Sequence, residues 1–144
     1  MKIPSISPKA PAERTNEERA LDYLMSGYAE SRQAVADWAD EVASKTTGAE
    51  YVYMLQWADR PYKDAARAKM LQGFYQHAYD GVLSGSSHED ICQEILRIAT
   101  RRTIEMAKNH TRSSSALMNL MNECHMEVIA DFADTFAQIL LGRW

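Results

Sequence analysis

Proline is nearly absent from this chain once its first eleven residues are passed: Pro4, Pro8 and Pro11 crowd the start, and only Pro61 stands beyond them. An interior proline deletes a helical hydrogen bond and breaks the helix, so the rest of the chain is free to form long helices. Cysteine is scarce as well. Cys92 and Cys124 both fall in strongly periodic segments, where buried, reduced thiols are expected, and no disulfide framework is encoded. The six glycines are scattered and form no phosphate-cradling loop, and the motifs GxSxG, CxxC and HExxH are missing. No apolar run approaches the roughly 20 residues of a membrane span, and the first eleven residues lack the apolar core of a signal peptide. The expectation is a soluble, cytoplasmic protein with no membrane partner. The alternative is export by a specialised secretion system through an uncleaved N-terminal tail containing Ser and Pro.

What is present suits one packed domain. The chain has 144 residues, 46% of them hydrophobic and 25% charged. At that size roughly 68–70% of the unfolded surface is removed from water on folding, so neither disulfide nor metal is needed for stability. Sixteen Lys and Arg stand against 20 Asp and Glu, a formal net charge of −4 that argues against a general polyanion binder.

Hydrophobic spacing and capping signals divide the chain. Residues 1–14 read as a flexible tail and 15–144 as a single helical domain. Thr15 with Glu18 three positions on forms a capping box that opens a helix running to about Lys45. Leu21, Leu24, Tyr28, Ser31, Val35, Trp38 and Val42 make its buried seam. The run "EYVYMLQWA", residues 50–58, is apolar all round and reads as a short buried helix. Asp59 and Pro61 then start a helix to Leu83, with Met70, Leu71, Phe74, Ala78 and Val82 inward. Ser87 and Asp90 form a second capping box for a helix to Asn109, whose core face is Ile91, Cys92, Ile95, Ile98, Ala99 and Met106. After the turn "HTRSSS" comes a last helix over 115–141. No strand-type alternation occurs. The fold class is therefore all-α, a bundle of four long helices plus one short buried helix, behind a disordered N-terminal tail.

The densest chemistry lies in "NECHMEVIADFAD", residues 122–134. At 100° per residue, Leu117, Met121, Cys124, Val128, Phe132, Thr135 and Ile139 share one face, while Glu123, Glu127, Asp134 and Gln138 lie well away from it. Cys124 and His125 are immediate neighbours and do not have the i, i+3 or i+4 relation of metal ligands on one helix. His125 reads as a core or boundary residue and the acidic stripe as a solvated face. The run "EVIADFAD" is superficially similar to the ExxD pair of all-helical MazG-type nucleotide pyrophosphohydrolases. Its Glu127 and Asp131 are four apart, however, and Asp37, Asp40 and Glu41, the only stand-ins for the first pair, face away. A metal-dependent nucleotide hydrolase using Glu127, Asp131 and Asp134 is thus a second alternative, not the main expectation.

The segment 87–110 loosely resembles helix-turn-helix regulators. Ser87, Asp90, Ile91 and Cys92 match an S-x-x-E-I-A opening, and Ile98, Ala99, Arg102, Thr103 and Ile104 match an I-S-x-R-T-V recognition helix. That resemblance implies a DNA-binding regulator, although nothing between Leu96 and Ala99 supplies a turn. As one continuous helix the segment presents Arg97, Arg101 and Lys108, joined by Arg112, as a basic stripe laced by Arg101 and Glu105 at i+4. Arg102 projects into the apolar face and needs a partner or the rim. The primary expectation is a protein that is not an enzyme, has no cofactor or metal, and acts by binding another protein through Arg97, Arg101, Lys108 and Arg112. A secreted or mobile-element-encoded regulator or inhibitor fits this description, nucleic acid is disfavoured, and a homo-oligomer is compatible with it. Eight methionines and seven tyrosines suit an adaptable interface.

Overall fold

The computed structural model describes residues 11–45, 59–109 and 111–143. A 3-10 turn, Pro11–Glu13, lies within the segment expected to be tail. Four helices follow among the described residues, with no strand: α1 (Asn16–Lys45), α2 (Asp59–Leu83), α3 (His88–Asn109) and α4 (Ala116–Leu140). The short buried helix expected over 50–58 lies outside the described residues.

Local chemistry sets the helix ends. At the start of α1 the Thr15 hydroxyl accepts from the Glu18 amide and the Glu18 carboxylate accepts from the Thr15 amide, both at 3.2 Å, so the capping box is reciprocal. Ser87 Oγ accepts from the Asp90 amide at 3.1 Å, and Ser115 Oγ from the Met118 amide at 3.3 Å. Two helices stop in the same way. Gly85 (φ +80°) follows α2 and Gly142 (φ +73°) follows α4, and each donates back to a carbonyl three residues earlier. The next residue in each case, Ser86 or Arg143, donates to a carbonyl five back, a Schellman closure that needs the left-handed conformation glycine adopts without steric cost.

The helices run up, down, up, down. Asn16 Nδ2 reaches the Leu140 carbonyl, and Cys92 Sγ lies 3.6 Å from the Glu17 carbonyl, so the start of α1, the end of α4 and the start of α3 meet at one end. The core concentrates there: Leu21, Leu24, Leu71, Ile95, Phe132 and Phe136 are almost wholly excluded from water. At its centre Phe132 lies against Phe74 (centroids 5.0 Å), Phe136 (5.3 Å) and Tyr23 (6.1 Å). The α1 seam fades with distance from this end. Leu21, Leu24 and Ser31 are buried, whereas Tyr28, Val35, Trp38 and Val42 are only half covered. On α4 the buried face gains Ile129 and Phe136, and Leu117, expected inside, is 62% exposed.

Two glycines within α2 mark opposite packing states. A Cβ on Gly81 would stand 2.7 Å from Ile91 Cγ1 and 3.0 Å from its Cδ1, and Ile91 is itself buried, so α2 and α3 approach closely at this point. A Cβ on Gly73 would meet nothing within 4 Å. Gly73→Ala is therefore expected to raise stability by about 0.5–1 kcal/mol through helix propensity. In Gly81→Ala the same gain is opposed by overpacking of about 1–3 kcal/mol, so stability should fall. Urea midpoints moving in the same direction for both variants would contradict this assignment of space.

Candidate functional site

At the opposite end of the bundle from the packed core, a groove of about 610 Å³ opens between α2, α3 and α4. Its floor is apolar: Met70 and Gly73 from α2, Met106 from α3, and Met121, Val128 and Ile129 from α4. Ala65 and Ala66 keep the α2 wall low. The exposed Met118 and Leu117 lie one turn before Met121 on α4 and carry the apolar strip outward. Methionines suit such a surface, since three rotatable bonds and a polarizable sulfur adapt to different contacts.

The polar groups of the groove are few and of one sign. Lys69 stands on the α2 wall and Arg102 on the α3 wall; among the described residues no carboxylate lines the groove and neither cation has an ion-pair partner. The guanidinium of Arg102 lies 5.6 Å from the centre of the Phe74 ring, which supplies the partner that its position in the apolar face demanded. At the mouth, Tyr62 Oη and His125 Nε2 are 3.2 Å apart, with their rings stacked at 6.0 Å. His125 is thus exposed at the rim and not in the core, and its partner comes from α2.

Next to the groove, Lys63, Asp64, Arg67, Glu127 and Asp131 line a polar crevice of about 380 Å³ between α2 and α4. Lys63 Nζ donates to Glu127 Oε2 at 2.5 Å, and this bond holds the ammonium above its usual lysine range. Glu127 and Asp131 remain exposed, as a solvated face requires, with Glu127 paired to Lys63 of α2. Asp134, the third residue of the hydrolase alternative, is exposed and outside the crevice. Among the described residues no group of three or more His, Cys, Asp or Glu side chains is arranged to hold a metal ion. Asp37 accepts from Gln33 on its own helix at 2.8 Å, in the half of α1 that faces away.

The expected basic stripe divides. Arg97 is held by Glu94 through two hydrogen bonds of 2.9 and 2.6 Å, and the guanidinium keeps the Glu94 carboxyl below its ordinary range. Arg101 pairs with Glu105 at 3.5 Å, whereas Lys108 and Arg112 are exposed and have no ion-pair partner among the described residues. The acidic residues of α3 sit mostly in its first turns, which leaves 97–112 with five Arg or Lys (Arg97, Arg101, Arg102, Lys108, Arg112) against Glu105 alone. Helix α3 runs unbroken through Leu96 and Ala99, so segment 87–110 does not contain the turn that a helix-turn-helix unit requires. Cys92 is no nucleophile: burial pushes its thiol up to about 12 and keeps it protonated. Both cysteines are buried and neither is in a disulfide, and no helix among the described residues is long and apolar enough to cross a membrane.

Among the described residues, fold and site define an up-and-down bundle of four helices with an apolar, cation-rimmed groove at its less packed end. No known protein family, curated protein or solved structure matches the chain.

Proposed function

We propose that this chain is a non-catalytic helical module that acts by binding another protein, and that the groove between α2, α3 and α4 is where a segment of that protein docks. The segment is apolar on the face it buries and negatively charged along its edge. One observation carries this reading: an acidic chain, net −4, lines an open apolar groove with Lys69 and Arg102 and, among the described residues, with no carboxylate. Exposed apolar strips with a charged rim are the usual form of an interaction surface. Arg101, Lys108 and Arg112 extend the positive field beyond the groove and would speed the approach of an acidic partner. Arg97, fixed by Glu94, belongs to the scaffold and not to the contact.

The test compares two baits in extract of the native host, the wild-type chain and Gly73→Leu, whose Cβ stands in open space on the groove lining. A protein retained by the wild type and lost by the folded variant is the expected result. An identical set of captured proteins on both baits would remove the groove as the docking surface.

A further inference from the structure

We infer that the segment seated in this groove is an amphipathic helix of about three turns, acidic on the flank that lies against α3. This rests on the protein-binding reading above and gives it a ligand class.

Backbone chemistry excludes the extended alternative. A strand laid in the groove would bury amide and carbonyl groups that need partners. The polar side chains among the lining residues are Tyr62, Lys69, Arg102 and His125, and Tyr62 is already engaged with His125. No strand edge exists among the described residues to complete a ladder. A helix satisfies its backbone internally and presents only side chains, which is what an apolar floor accepts.

Dimensions agree. The α2 wall runs from Tyr62 to Gly73, about 16 Å at 1.5 Å per residue, or about three helical turns. Gly73 leaves one end of the floor open, with nothing within 4 Å of a Cβ, so a large apolar anchor fits there. Met70, Met106 and Met121 adapt to the anchors that follow at three- and four-residue spacing.

Charge fixes the flank. Arg102 stands on the α3 wall, and 97–112 adds Arg101 and Lys108 on the same helix and Arg112 just beyond its end, against Glu105 alone. Two or more carboxylates along that side of the incoming helix meet cations, while Lys69 accommodates one on the α2 side. A second copy of this chain is a poor occupant by the same count. Its exposed apolar residues Leu117 and Met118 closely follow Arg112 in sequence and would bring like charge to the α3 wall.

The experiment uses two fluorescein-labelled synthetic peptides of about 16 residues. Both have leucines at three- and four-residue steps, with glutamates flanking the leucine face in one and lysines at those positions in the other. In fluorescence anisotropy the full chain should bind the glutamate peptide at least about tenfold more tightly than its twin, the preference shrinking as salt is added. Gly73→Leu should weaken the glutamate peptide by about tenfold or more while the melting transition is kept. Arg102→Glu, an exposed change that does not depend on filling the groove, should abolish the preference. Equal affinity for both peptides, or glutamate-peptide affinity unchanged in both variants, overturns the proposal. A concentration-dependent doubling of mass that Gly73→Leu removes assigns the groove to a second copy. A co-purifying small amphiphile excluded by that variant assigns it to a small molecule, and either result also overturns the inference. If neither peptide binds but the host protein is still lost on the Gly73→Leu bait, the helix is wrong and the docking surface stands. If the bait comparison shows no difference, the docking surface itself fails.

Discussion

Replacing Phe132 by alanine is expected to lower the unfolding free energy by about 3–5 kcal/mol, a large share of the roughly 5–15 kcal/mol typical of a domain. Phe132 is 2% exposed and touches aromatic rings from three helices: Tyr23 of α1, Phe74 of α2 and Phe136 of its own α4. The neighbours that would have to fill the space, Phe74 and Phe136, are themselves buried among other core side chains. The measurement is a denaturant midpoint with unchanged m-value. A loss of less than about 1 kcal/mol would mean that the rings do not pack as described.

The second large effect belongs to Ile98→Pro. Proline at this site removes the amide that bonds to the Glu94 carbonyl and drives its ring into that carbonyl, at a cost of about 3 kcal/mol or more inside a helix. Position 98 lies well inside α3 (His88–Asn109), and Ile98 packs half-buried against the core. Circular dichroism through a thermal melt should show an early, cooperative loss of helix. Tolerance of the substitution would place a break between Leu96 and Ala99 after all, and would return the segment to a helix-turn-helix arrangement.

The four long helices and most of their ends were legible in the sequence because their causes are local. Thr15 with Glu18, Ser87 with Asp90, and the Gly85 that follows α2 act within a few residues of themselves. Inward faces were legible in part: Ile91, Cys92, Ile95 and Ala99 are buried on α3 as their spacing requires. The site was not legible. Whether Arg102 meets Phe74, His125 meets Tyr62 or Glu127 meets Lys63 depends on how α2, α3 and α4 are rotated against one another. Periodicity along one helix does not contain that rotation. Leu117, on the face read as inward, is exposed for the same reason. A signal for the groove was nonetheless present: Met70, Met106 and Met121 on three different inward faces, with a glycine at 73 where a core helix normally carries a side chain.

Groove and core share a wall. Arg102 lies over one face of the contact that Phe74 makes with Phe132, so a ligand held at Arg102 leans on the ring stack that closes the bundle. Anything that binds the folded chain and not the unfolded one adds RT ln(1 + [L]/Kd) to its stability, about 2.7 kcal/mol at a hundredfold excess over Kd. That approaches the lower end of what the loss of Phe132 would take away, about 3 kcal/mol. Mass action therefore couples occupancy to lifetime: a partner present at such levels would protect the chain from unfolding and proteolysis, and its withdrawal would expose the chain to both.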